Sequence, residues 1–387
     1  MSTTKISPRF VTPVLLSFFV MSFSDLVGIG VDRVKLDFSL SNTLAQLIPS
    51  AVFLWFFILS VPVGILQDRL GKRNVLNLGM LVTAVGLFVP FVHYSFLSAL
   101  LAFTLLGIGN TIVQVSANPL LVDVVPAGRR SSFLSLSQFI KSVGAMIAPP
   151  LAGWTAVQFG DWKLIFITFG IVSLLSVFWL AMTPIKESKM PDQRATFGSS
   201  FRLLLNKYIL IMVAGIFLVV GIDVGLNAFS GQYFLNKFFS DRMLAESARS
   251  IYFLGKMLGT FGGAIMLTML PSRKFFLWSA VTGLLSILLL LVAPSDKVAI
   301  IIVFIVGLGF ANIFPLIFSL TVEKYPLRAN EISGLMIMAI SGGAVLPILM
   351  GFVSDVMGNV TWGLLLLVLS AIYLLFVSIY NHRSGSL

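Results

Sequence analysis

The stretch GILQDRLGKRNVL, Gly64 to Leu76, packs four charged side chains into six positions, Asp68 to Arg73, between two long uncharged runs. Leu44–Leu66 precedes them and Asn74–Val92 follows. Runs of about 20 apolar residues match a hydrocarbon core of roughly 30 Å. The charged stretch therefore reads as a tight loop at a membrane face. Gly64 has no side chain, so another helix can approach its backbone closely. Asp68 is suited to the N-terminus of a neighbouring helix, where the dipole favours an anion. Arg69, Lys72 and Arg73 hold the loop at the surface. Such a contact can latch one conformation and break in another; the plain alternative is a basic loop and nothing more. The related stretch GAIMLTMLPSRKFF keeps Gly263, Arg273 and Lys274 but has no acid, so a one-sided latch is expected: Gly64, Asp68, Arg69 and Arg73.

Working outward, the same pattern recurs. Twelve spans are expected: Phe10–Val31, Leu44–Leu66, Asn74–Val92, Leu97–Val122, Phe133–Ala156, Leu164–Met182, Ile209–Gly231, Ala248–Met269, Phe275–Val292, Val298–Leu320, Ile332–Val353 and Thr361–Ile379. Helices are expected throughout, because an open sheet in lipid leaves backbone groups unpaired. The longest polar connector follows the sixth span and divides the chain into six spans plus six, at 1–183 and 208–387, joined by a linker at 184–207. The fold class is thus an all-α membrane protein with twelve transmembrane helices.

Composition excludes the other classes. Of 387 residues, 58% are hydrophobic and 11% charged, against about 25% charged in ordinary soluble domains. Mean hydropathy is +1.01. There is no Cys and only His93 and His382, so no metal site and no cofactor is expected. The net charge of +11 follows membrane topology rather than nucleic acid. With both termini cytoplasmic, the inner segments carry seventeen Lys and Arg and the outer loops seven; Lys141 and Lys256, inside spans, complete the 26. That excess obeys the positive-inside rule. No GxSxG, HExxH or phosphate-cradling loop is present, so no enzyme is expected. A monomer in a bacterial inner membrane is expected.

The residues that do not belong in lipid carry the functional reading. Asp25 lies in the first span and Asp223 in the seventh; buried acids there are costly and mark ion or substrate pathways. Either can act as a protonation switch, or pair statically: Asp25 with Lys141, Asp223 with Lys256. Asn110, Gln114 and Asn118 share one face of span 4. Their amides donate and accept without charge, which suits a hydroxyl-rich cargo; bridging between packed helices is the alternative. Gln138 and Lys141 stripe span 5, Asn227 follows Asp223 in span 7, and Tyr252, Lys256 and Thr260 stripe span 8. Asn312 and Pro315 either line a cavity or mark a kink in span 10.

The Gly64–Leu76 loop resembles the signature of the major facilitator superfamily, whose fold implies two six-helix bundles around a central cavity lined by spans 1, 4, 7 and 10. Asp25 and Asp223 are then repeat-related. QVSANPLL (Gln114–Leu121), VGIDVGLNAF (Val220–Phe229), FPLIFSL (Phe314–Leu320) and GLMIMAISGGAVLPILMGFVSD (Gly334–Asp355) are similar to the fucose/glucose/galactose–proton symporter family over nearly the whole chain. That resemblance implies proton-coupled import of a sugar or sugar derivative by alternating access. It implies Asp25 as proton carrier, Asp223 in place of a family Glu, and Asn118 with Pro119 and Gln138 at family positions. The departures are Gln114 where fucose-transporting members have an acid, and Lys141 where the family has Asn. An acidic sugar or other organic anion held by Lys141 and Lys256 is the alternative cargo; multidrug export is a weaker fit to a polar cavity.

Overall fold

The computed structural model describes residues 7–40, 47–187, 196–240 and 242–383; within its helices a few side chains, Asp25 and Asp32 among them, lie outside the described ones. All described regular structure is helical. The helices are α1 (Pro8–Met21), α2 (Val27–Asp37), α3 (Leu47–Leu70), α4 (Lys72–Val92), α5 (Phe96–Val124), α6 (Arg130–Phe159), α7 (Leu164–Met182) and α8 (Phe197–Arg202) in the first half. The second half holds α9 (Lys207–Phe238), α10 (Arg242–Met266), α11 (Ser272–Leu291), α12 (Asp296–Phe310), α13 (Ile313–Lys324), α14 (Ala329–Met338), α15 (Gly342–Met357) and α16 (Val360–Arg383).

Each of the twelve expected spans falls on one helix or one broken helix, except that 44–46, at the start of the second, lie outside the described residues. The first pass is α1, a 3-10 turn over Ser22–Leu26, and α2. Asp25 stands in that turn. The tenth pass breaks at Ala311 and Asn312, between α12 and α13. Pro315 supplies the cause: it has no N–H for the carbonyl of Ala311 and its ring crowds that turn. The eleventh breaks at a 3-10 turn over Ala339–Ser341. Among the described residues, nine helical runs are long and apolar enough to cross a membrane on length and composition. The three remaining passes are the broken first one, α6 with Lys141, and α10 with Arg249 and Lys256.

The helix ends follow local rules. Ser95 and Ser98 form a capping box at α5. The Asn206 side chain accepts from the first backbone N–H groups of α9, at 3.0 Å and 3.3 Å. Gly160, at φ 71°, closes α6 in the left-handed region that glycine enters without penalty.

Cα packing divides the chain into two units. The first is Met1–Arg130, Ile140–Arg202 and Tyr325–Met338; the second is Ser131–Phe139, Leu203–Lys324 and Ala339–Leu387. In the first, α5 packs on α3 and α4, α4 on α7, and α14 on α3. Gly107 lets α5 approach α3 so closely that a Cβ there would lie 2.5 Å from the Val52 carbonyl oxygen. At one end, Tyr94 donates to Asp37 at 2.6 Å and the Trp162 indole N–H to the same carboxylate at 3.0 Å. Burial first, and that bond second, hold the Tyr94 phenol well above its usual pKa. Trp162 is thus buried packing, whereas Trp154, Trp278 and Trp362 are exposed on the apolar surface, as membrane-facing aromatics are. In the second unit α10 packs on α12, α9 on α15 and α16, and α11 on α12 and α16. Part of the expected linker, 188–195, lies outside the described residues.

Candidate functional site

In the second unit α9 and α10 bring Asp223 and Lys256 together as an ion pair. Tyr252, one turn before Lys256, donates its hydroxyl to the other carboxylate oxygen. Both oxygens of Asp223 are thus engaged. The spacing explains the convergence: residues four apart on α10 share a face, and that face meets Asp223. Asp223 and Lys256 side chains are 16% and 24% exposed, so neither is sealed off. Small residues allow the packing behind them: a Cβ at Gly307 of α12 would lie 2.3 Å from the Tyr252 carbonyl oxygen. Asn312, at the break of the tenth pass, donates its amide to the Gly259 carbonyl of α10 at 2.7 Å. Its Oδ1 is buried without a partner among the described residues. Asn227 is half-buried one turn beyond Asp223. Sequence reading placed Tyr252 on the right stripe but gave it no role; its bond to Asp223 needs the partner helix to be seen.

In the first unit the amide stripe of α5 is buried. Gln114 donates to Asn110 at 3.4 Å, and Asn118 donates to the Gln114 carbonyl at 2.8 Å. The Asn110 amide nitrogen and the Asn118 amide oxygen are left buried without partners among the described residues. Such orphaned groups are a hydrogen-bonding reserve for water or a ligand. Lys141, on the part of α6 in this unit, is half-buried, as is Gln138 on the part of α6 in the second unit. Among the described residues Lys141 has no ion pair. The backbone of Asp25 is placed in the 3-10 turn of the first pass, while its side chain lies outside the described ones.

The loop between α3 and α4 divides into two sets of contacts. Gly64 and Asp68 face α14. A Cβ at Gly64 would lie 2.8 Å from the Asn330 carbonyl oxygen and 3.3 Å from the Gly334 Cα. Asp68 accepts from the Asn330 amide at 2.6 Å, beside the N-terminus of α14. Ser333 adds a hydrogen bond to the Val115 carbonyl at 2.6 Å. Arg73 turns the other way, donating to the Thr183 carbonyl at the end of α7 at 2.7 Å. Arg69 is exposed. Sequence reading missed Glu187, whose carboxylate accepts the first backbone N–H groups of α4, from Lys72 at 2.7 Å and Arg73 at 3.0 Å. It also missed Asp123, which pairs with the Lys72 ammonium at 2.6 Å. Gly71, at φ 81°, makes the turn that presents those N–H groups.

The second half, which has no acid at the corresponding loop, uses hydroxyls. Within the second unit the start of α6 meets α10, α11 and α13. Ser131 lies 2.7 Å from the Ser319 hydroxyl and accepts from Ser272 at 2.8 Å; Ser132 donates to the Ala264 carbonyl. This region carries a neutral contact set that serines do not announce in sequence.

A family model described as Major Facilitator Superfamily matches residues 14–346. A glucose/galactose transporter of Brucella abortus is 27% identical over 400 residues, covering 96% of this chain and 94% of the relative. The L-fucose–proton symporter of Escherichia coli K12 is 23% identical over 362 residues, covering 84% and 81%. A solved structure of the Escherichia coli fucose–proton symporter matches with a TM-score of 0.83 at 19% identity, covering 97% of this chain and 99% of that one. At that identity the structural likeness concerns the fold.

Proposed function

Because the chain belongs to the major facilitator superfamily, we propose that it is a secondary active transporter importing a sugar or sugar derivative with protons by alternating access. Two relatives matched over most of their length carry the names glucose/galactose transporter and L-fucose–proton symporter. The observation that carries the coupling is the charge set inside the passes. Lys256 and Tyr252 engage Asp223, so in this reading Asp25 is the acid that binds and releases the proton. The 3-10 turn around Asp25 supports that role, since such a stretch inside a helix often marks a functional hinge. The orphaned amides of Asn110 and Asn118 serve sugar hydroxyls when the site opens.

In the same reading the bundles are 1–183 and 208–387, the α3–α14 contact is the closed cytoplasmic latch, and both termini are cytoplasmic. The seventeen-to-seven distribution of Lys and Arg supports that orientation. The protein works as a monomer in a bacterial inner membrane and catalyses no covalent step. Counterflow in proteoliposomes with D-glucose, D-galactose, L-fucose and their acidic derivatives tests the cargo class. Exchange of at least one is expected; no exchange of any, with the protein folded, contradicts the sugar reading.

A further inference from the structure

Four charged residues fall within the apolar passes: Asp25, Lys141, Asp223 and Lys256. Lys256 and Asp223 account for each other, with Tyr252 on the remaining oxygen. Lys141 is the one whose counter-charge has to be found.

The described acids of the first unit are otherwise committed. Asp37 accepts from Tyr94 and Trp162, and Asp161 pairs with Lys163. At the other end Asp68 accepts from Asn330, Asp123 pairs with Lys72, Glu187 holds the start of α4, and Glu331 pairs with Arg328. None is bonded to Lys141. The stretch Pro8–Ser24, against which α6 packs, contains no acid.

That packing also sets the register. A Cβ at Gly144 would lie 2.1 Å from the Ser22 hydroxyl, so Gly144 and Ser22 stand at one level. As the fifth and first passes, α6 and α1 run in the same direction. Lys141 is three residues before Gly144, about 4.5 Å back along the helix. Its side chain leans further that way, because helical side chains point toward the N-terminus. Asp25 is three residues beyond Ser22, about 6 Å in the opposite direction at the 3-10 rise. The backbone levels of Lys141 and Asp25 therefore differ by roughly 10 Å.

An ammonium in this position is costly unless an anion or water meets it. We infer that Lys141 holds a carboxylate of the cargo, and that the cargo is a carboxylated sugar of the hexuronate type; this rests on the sugar-transport reading above. A carboxylate supplies the missing charge and accepts a charge-assisted hydrogen bond. Lys256, held by Asp223, has no such part.

The test is counterflow in proteoliposomes with two matched pairs, D-glucose against D-glucuronate and D-galactose against D-galacturonate. Each pair differs only at the terminal carbon. The native protein is expected to prefer the uronate at least tenfold. Lys141→Gln is expected to cut the uronate-over-hexose preference about ten- to a hundredfold, the worth of one charge-assisted hydrogen bond. Because the chain has no Cys, Lys141→Cys gives a second route: the preference should be lost in the variant and restored by alkylation with 2-bromoethylamine, which rebuilds an ammonium there alone. Hexose exchange without uronate exchange overturns this inference and leaves the sugar reading standing. Exchange of neither pair overturns both. A Lys141→Gln protein that keeps its preference but shifts its pH profile makes Lys141 the partner of Asp25 and overturns the inference.

Discussion

At the scale of single residues, the intramembrane charges make the sharpest predictions. Asp25→Asn keeps the shape of the side chain but cannot titrate, so it should abolish proton-driven accumulation while sparing exchange of substrate down its own gradient. Uptake and counterflow measured on the same proteoliposomes separate these; equal loss of both would indicate a binding or packing role. The Asp223–Lys256 pair makes a different prediction. Removing one partner of a buried pair costs about 3–5 kcal/mol; at 16% and 24% exposure roughly 1–3 kcal/mol is expected after solvent screening. Asp223→Asn and Lys256→Gln should each lower the thermal stability in detergent, and the double variant should lose less than their sum; additive losses would deny the coupling. These four residues were legible because a charge inside an apolar run stands out. Which acid meets which base was not: Asp223 with Lys256 and Asp25 with Lys141 were equally open in sequence, and the first pair is seen only once α9 and α10 are packed together. Tyr252 and Ser131 were harder still, since a tyrosine or serine in a span has an ordinary packing role until its partner is seen.

At the scale of helices the loop after α3 does two jobs. Asp68→Asn should slow transport with little change in substrate affinity, because Asp68 meets Asn330 of α14 rather than the amide stripe of α5. Initial rates and binding measured together decide this; a large affinity loss with normal turnover would contradict the latch. Glu187→Ala should instead act on stability, by about 1–2 kcal/mol, because it strips an acceptor and a favourable charge from the start of α4. A thermal-shift series reads that loss, and an unchanged midpoint would show that water replaces the carboxylate. Gly64 and Asp68 were readable from their own short stretch. Glu187 lies 115 residues from Lys72, and no local pattern links the two. The breaks were unevenly legible: Pro315 announces the one at Asn312, while the 3-10 turn over Ser22–Leu26 contains neither Pro nor Gly to announce it.

At the scale of the whole molecule, the twelve passes were readable from apolar run length, because lipid leaves so few alternatives to a helix. The assignment of segments to packing units was not. Ser131–Phe139 joins the second unit and Tyr325–Met338 the first, and neither segment carries a local pattern that assigns it to a unit. The central claim is proton-coupled sugar uptake through Asp25, and the most direct measurement follows protons and sugar together. Proteoliposomes carrying a pH-sensitive dye are given an inward gradient of the exchanged sugar, with no imposed pH gradient. Acidification of the lumen is expected, abolished by protonophore, unaffected by sodium, and absent in Asp25→Asn protein that still exchanges sugar. Sugar entry without acidification in the native protein, or undiminished acidification in Asp25→Asn, would contradict it.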